Sequence, residues 1–299
     1  MFHCEHTVGL WDTFPGSRPR RMTITEKAYK NLNFLTSEDA RTIRMLCEYE
    51  EPQQRFLAHG VQDTIVVFGS ARVKSVAQSG EALGEAEHQL KIYVEGAAPR
   101  PDHVQHLQHA LRQAQRANRI ARYYDETRQL AERLTRWSLG RERPYYICSG
   151  GGPGIMEAAN RGASDVPGGR SVALGISLPF EEKVNAYATQ ELAFEFHYFF
   201  MRKYWFAYLA KAMVIMPGGF GTLDELAEIL TLRQTGKITK RLPMVLYGKD
   251  YWDEVIDMDA MVEWGTISEK DMLLMHRADS VEDAFHFLTH AIEANEESA

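Results

Sequence analysis

The chain has 299 residues, 44% of them hydrophobic and 25% charged, with a formal net charge of −7. That length and apolar content suffice for a sizeable core and leave one or two domains open. The acidic balance excludes a protein that grips nucleic acid through broad electrostatics, but not one that holds a small phosphorylated ligand with local donors.

The first six residues, Met1 to His6, have neither a basic n-region nor an apolar h-region. Cys4, Cys47 and Cys148 form no CxxC metal pattern and no disulfide framework, which points to a reducing compartment. No apolar run reaches the length of a membrane span. A cytoplasmic protein is expected, with no membrane and no nucleic acid among its partners.

Residues 1–20 read as an irregular arm and 23–59 as helix. Ser37-Glu38-Asp39-Ala40 suits a helix start, and Ile43, Leu46 and Phe56 keep helical spacing after it. Residues 1–60 are therefore expected to be an arm and helices packed on a core domain that occupies 61–299. Thr64–Phe68 is a β-branched run closed by Gly69-Ser70, the pattern of a buried strand. Residues 75–139, rich in Ala, Gln, Glu, His, Arg and Leu, predict helices. A hairpin breaks near 96–102, and the longest piece runs from Asp102 to Trp137. About 75–125 of this is a helical insertion.

From there strand, glycine turn and helix repeat. Strands are expected at Pro144–Cys148, Ser171–Leu178, Met213–Met216 and Leu242–Tyr247, and helices at Ile155–Gly162 and Phe199–Lys211. Such alternation implies an α/β fold, a parallel sheet covered by helices on both faces. Ligands of such sheets sit at the carboxyl ends of the strands. The glycine turns after Phe68, Cys148 and Met216 would share that edge.

Pro217-Gly218-Gly219-Phe220-Gly221-Thr222-Leu223-Asp224-Glu225 carries the most chemistry. Three glycines lie between an apolar strand and a helix start, where free N–H groups and the helix dipole favour an anion, most often phosphate. Glu225 adds a carboxylate. Thr222 to Glu225 is also a capping box, in which that carboxylate only secures the helix start. Gly150-Gly151-Gly152-Pro153-Gly154 is either a second cradle for phosphate or ribose or a tightly packed turn; it is not the dinucleotide GxGxxG. Arg202-Lys203 sits in an aromatic helix, where Arg202 needs an anionic partner: Glu195 as a structural pair, or a substrate phosphate or Glu225 as a functional one. The aromatic run Phe194 to Phe206 reads as core or subunit interface. Ser70 and Arg72 share the ligand edge, although Ser70 also suits a helix cap. Glu157 is a dipole complement or a partner for sugar hydroxyls. His103, His106 and His109 read as a solvated helix face, and no metal site is expected.

These motifs resemble the LOG family, the cytokinin riboside 5′-monophosphate phosphoribohydrolases, which also carry the older label "lysine decarboxylase-like". Pro217 to Glu225 matches the family's PGGxGTxxE signature. Ser149 to Ala158 is similar to its glycine-rich first motif, Arg202-Lys203 falls at its catalytic Arg-Lys, and Phe68-Gly69-Ser70 resembles its first strand turn. The resemblance spans about 62–255 without the helical insertion. It implies a Rossmann-like doubly wound sheet, a homodimer or larger homo-oligomer, and hydrolysis of a nucleoside 5′-monophosphate (AMP or N6-modified AMP type) to free base and ribose 5-phosphate. No cofactor is implied, and no pyridoxal-phosphate site is identified. The resemblance makes Arg202 and Glu225 the catalytic residues. Gly69, Ser70, Arg72, Gly151, Gly152, Met156, Glu157, Lys203, Pro217, Gly218, Gly219, Gly221 and Thr222 become the substrate-binding set. The N-terminal helices and the insertion depart from the short plant-type members, which leaves the base open. The alternative is a binding protein, a carrier of nucleotide or molybdenum cofactor, which needs no Arg202/Glu225 pair. A scaffold whose helices bind a partner would leave the glycine turns unexplained.

Overall fold

The computed structural model describes residues 25–96, 100–178 and 184–298. The arm expected over 1–20 lies outside them, as does part of the helix break expected near 96–102. The chain divides into two units, Met1–Arg44 and Met45–Ala299. In the first, helix α1 (Leu32–Leu35) is capped by Asn31, whose Oδ1 accepts from the Phe34 N–H at 3.1 Å. Arg44, in the helix α2 (Arg41–Ala58) on which the boundary falls, donates to the Leu35 carbonyl at 2.8 Å.

Among the described residues the second unit holds seven strands: β1 (Asp63–Phe68), β2 (Tyr145–Ser149), β3 (Ser171–Ile176), β4 (Ala193–Phe196), β5 (Ala210–Ile215), β6 (Met244–Tyr247) and β7 (His276–Ala278). They form one sheet in the order β4-β3-β2-β1-β5-β6-β7, and every pairing is parallel. The chain builds outward from β1 to β4, then returns to the other side of β1 with β5. This is the doubly wound, Rossmann-like arrangement expected from the sequence. The reversal leaves a crevice at the carboxyl ends of β1 and β5.

Between the strands lie α3 (Val76–Glu95), α4 (Pro101–Ile120), α5 (Arg122–Leu139), α6 (Ile155–Ser164), α7 (Phe199–Leu209) and α8 (Phe220–Gln234). Then come α9 (Lys249–Val255), α10 (Met258–Glu263), α11 (Glu269–Met272) and α12 (Val281–Glu297). The central strands alternate their side chains between two cores, as the pleat requires. On one face Val66 and Phe68 of β1 pack with Phe56, Trp205, Phe206, Leu226 and Trp252. On the other, Ile65 and Val67 pack with Leu130, Leu134, Ile155, Ala158 and Leu288. Two buried faces explain why the strands read as unbroken apolar runs. Among the described residues no helix is long and apolar enough to cross a membrane.

Two sequence expectations need correction here. The helix expected from Asp102 to Trp137 breaks at Ala121. No glycine or proline marks the bend. It turns the buried face of α5, with Tyr123, Tyr124, Leu130 and Leu134, onto the sheet, whereas α4 buries only Leu107. The helix expected to reach Lys211 stops at Leu209, and the next residue already opens β5. The aromatic run from Phe194 supplies core as expected, Phe194 and Phe196 from β4 and Trp205 and Phe206 from α7.

Helices α5 and α6 meet at Gly162, where a Cβ would stand 2.1 Å from the Arg128 carbonyl oxygen and 2.9 Å from the Ala131 Cβ. Alanine would favour the helix itself by roughly 1 kcal/mol. Because the contact is backbone, we expect Gly162→Ala nonetheless to destabilise the protein, by about 2–3 kcal/mol. Denaturant unfolding checks this; an unchanged or higher midpoint would mean that the helices separate at little cost.

Candidate functional site

The three glycine turns meet at the carboxyl edge of the sheet and are tied together through Ser70. Its N–H donates to the Pro217 carbonyl at 3.0 Å, and its carbonyl accepts from the Ile155 N–H at 3.0 Å. Its Oγ accepts from the Arg72 N–H at 3.1 Å. One residue thus links the turns after β1, β2 and β5. The approach is close. A Cβ on Gly69 would lie 2.5 Å from the Ile155 side chain, and one on Gly154, whose φ is +71°, would lie 2.4 Å from the Ser70 carbonyl oxygen.

The Gly150–Gly154 turn is fixed from behind by two side-chain amides, half-buried Asn185 and buried Asn160. Asn185 donates through its Nδ2 to the carbonyls of Gly151 (3.0 Å) and Gly152 (3.2 Å) and to the Asn160 Oδ1 (2.9 Å). That same Oδ1 accepts from the Ser149 Oγ at 2.7 Å, and the Asn160 Nδ2 donates to the Ser171 Oγ at 3.0 Å. The Pro217–Gly221 turn is held by Tyr251 on α9, whose hydroxyl donates to the Gly218 carbonyl at 2.7 Å. Neither Asn185 nor Tyr251 carries a local sequence signal, since each reaches the turns from a distant segment.

The capping box expected at Thr222 is not formed. Gly219 takes the N-cap position in an extended conformation, so α8 begins at Phe220 without a side-chain cap. Thr222 lies in the first turn, with its N–H on the Gly219 carbonyl at 3.0 Å. Its hydroxyl leaves no room for a Cβ on Gly218, where the gap would be 2.1 Å. Glu225 is therefore one turn deeper than a cap, and only 6% of it is exposed. Burial pushes its carboxyl up to about 7, against the opposing pull of Lys203 and Arg202 and with a smaller push from Glu228 and Asp224.

Arg202, on α7, donates from Nε to the Leu174 carbonyl at 2.8 Å, and its guanidinium carbon lies 5.1 Å from the Phe206 ring centre. Its Nη2 fills the space where a Cβ of Gly150 would stand, at 2.7 Å. Glu195, one partner considered for it, accepts from the Ser177 Oγ at 2.6 Å.

Together these elements enclose a cleft of about 800 Å³. Gly69, Ser70 and Arg72 line it from the first turn, and Gly152 and Met156 from the second. Arg202 enters from α7; Pro217, Gly218, Gly219, Gly221, Thr222 and Glu225 close the remaining side. Gly151, Glu157 and Lys203 are not in the lining. Gly151 is buried at φ +75°, Glu157 accepts from the Tyr124 hydroxyl at 2.6 Å, and Lys203 pairs with Asp224 (2.8 Å) and Glu228 (2.6 Å). Ile176, Leu178, Phe199 and Ile120 add apolar lining that the sequence reading had not singled out.

Gly219 and Gly221 differ from the other turn glycines. A Cβ on either would meet nothing within 4 Å, and neither has a positive φ. Neither packing nor backbone conformation requires glycine there. The first N–H groups of α8 have no acceptor within the helix and attract anions. The arrangement can hold an anionic group against bare backbone while placing a buried carboxyl and a guanidinium on the same cleft.

Residues 156–288 match the family model described as "Possible lysine decarboxylase". No curated protein matches the chain. Among solved structures, the molybdenum cofactor binding protein from the phototrophic bacterium Rippkaea orientalis matches at 18% identity with a TM-score of 0.40, over 57% of this chain and 88% of that one. A structural-genomics target, TM1055, matches at 18% identity with a TM-score of 0.44, over 76% of this chain and 99% of its own.

The raised carboxyl has a consequence for stability. Folding favours the protonated form of Glu225, so its contribution is fully present below the ordinary value of 4.5 and is lost as pH rises through about 7. The loss is on the order of 3 kcal/mol. Glu225→Gln stays neutral and should become more stable than the unmodified chain as pH goes from 5 to 8. Denaturant unfolding at both pH values checks this; an equal difference at the two would show that the carboxyl is not held out of water.

Proposed function

We propose, from the family match over residues 156–288 and the cleft just described, that the protein hydrolyses the N-glycosidic bond of a nucleoside 5′-monophosphate. The substrate is of the AMP or N6-modified AMP type, and the products are the free base and ribose 5-phosphate. The observation that carries this reading is the buried Glu225 carboxyl on the same cleft as Arg202 and the open start of α8.

The 5′-phosphate sits on the amides at Gly219 to Gly221, where the helix dipole and the absent side chains let it approach closely. Cleavage passes through a ribosyl cation resembling an oxocarbenium ion. The Glu225 carboxylate stabilises that cation and directs water to C1′; the water proton ends on the departing base nitrogen. Arg202 orients the base or phosphate and assists departure with a fixed positive charge. Met156, Ile176, Leu178 and Phe199 supply an apolar surface for the base. The remote phosphate contributes binding energy usable in the transition state, so adenosine should react far more slowly than AMP.

Incubation with a panel of nucleoside monophosphates, followed by chromatography for free base, tests the reading. Release from at least one monophosphate, with adenosine at a small fraction of that rate, is expected. No release from any would leave the cleft as a binding site without catalysis. Glu225→Gln should lower kcat by about 10²–10⁴-fold. In the unmodified enzyme, kcat/KM should rise as pH passes upward through about 7, since the ionised carboxylate is the active form.

The open space above two glycines gives a second prediction. Gly219→Ala combined with Gly221→Ala should fold with stability changed by less than about 1 kcal/mol, since alanine suits Gly221 inside the helix but not the Gly219 N-cap, yet lose most binding of AMP, measured by calorimetry. Retained affinity would place the phosphate elsewhere.

A further inference from the structure

We propose that a second cleft, at the amino ends of the strands, binds a multivalent phosphate-bearing anion. The cleft has a volume of about 870 Å³. It opens at Asp63, Tyr145 and Lys211, at or near the starts of β1, β2 and β5, so it occupies the edge of the sheet opposite the glycine turns.

Five cations line it: Arg141, Arg143, Lys211, Lys240 and Arg241. In a chain of net charge −7 such a concentration is a local reversal of sign. The acids there are largely engaged. Glu296 accepts from Arg141 and from the Tyr145 hydroxyl, and Asp63 pairs with Lys211 at 3.4 Å. Arg143 and Arg241 are exposed and carry no ion pair among the described residues. Exposed Glu142 is the one acid left against these two and Lys240.

Lys240 is the most informative member. Its ammonium donates to the carbonyls of Ala207 (2.7 Å) and Tyr208 (2.9 Å) at the end of α7. These are dipolar acceptors without net charge, and the third ammonium proton has no acceptor among the described residues. Burial, and then repulsion by Lys211, push this ammonium down to about 8, with Asp63 alone opposing. Lys240 is thus a cation fixed in place that must share Asp63 with Lys211 and lacks a full countercharge among the described residues. An anion bearing more than one charge would supply it to Lys240, Arg143 and Arg241 together; a monovalent ion would neutralise only one of them. This inference does not depend on what the glycine-turn cleft does.

The test is calorimetric titration of the full chain with inorganic pyrophosphate at constant ionic strength, because exposed charges are screened by salt. It is run on the Gly219→Ala/Gly221→Ala chain, so that the other cleft does not contribute. One binding event per chain is expected. Adding Arg143→Ser and Arg241→Ser should weaken it about tenfold or more. No binding in the first chain, or a smaller weakening in the second, overturns the proposal. Should the arginine pair of substitutions prevent folding, Lys211→Gln at an exposed position replaces it under the same criterion.

Discussion

The site depends on the backbone of Ser70. Its N–H and carbonyl are each donated or accepted across to another turn, at 3.0 Å in both directions. Three loops that leave three different strands are thereby fixed against one another without any side-chain bond. The cost is steric: backbone can approach backbone this closely only where Cβ atoms are missing, which accounts for Gly69 and Gly154. Their role is assembly of the edge. Any contact with a ligand comes in addition to it.

A division of labour among the glycines follows. One set is spent on packing: Gly69 against Ile155, Gly154 against Ser70, Gly218 against Thr222 and Gly150 against Arg202. A second set, Gly219 and Gly221, packs against nothing. Reading all of them from the sequence as one phosphate-binding pattern merges two physical causes. The structure separates them by asking what a methyl group would strike.

The parts of the fold legible in the sequence were those whose burial is two-sided. β1, β2, β3, β5 and β6 announce themselves as apolar runs because both faces are covered. β4 did not, since Phe194 and Phe196 merge with the aromatic helix that follows, and β7, only His276–Ala278, has no apolar run. The bend at Ala121 and the helix start at Phe220 are set by tertiary packing and by an extended glycine; neither has a local residue signal. Of the cleft lining, the glycines of the turns were legible from their motifs; Arg202 was singled out through the family resemblance, since spacing alone left a structural pair with Glu195 equally open. Asn185 and Tyr251, which hold the turns in place, were not, because side-chain-to-carbonyl bonds between distant segments leave no periodicity to read. The capping box at Thr222 shows the opposite error: a valid local pattern that the chain sets aside because Gly219 starts the helix three residues earlier.

Gly219 and Gly221 also say something about the protein's history of compromise. Where the folded conformation accepts a methyl group, alanine in place of glycine restricts the unfolded chain and stabilises a protein by roughly 0.4–1 kcal/mol. Gly221, in the first turn of α8, is such a position, whereas Gly219 is the N-cap, where glycine serves better than alanine. A chain shaped for heat resistance alone would carry alanine at Gly221. Its bare backbone leaves the start of α8 less robust than the fold by itself would permit.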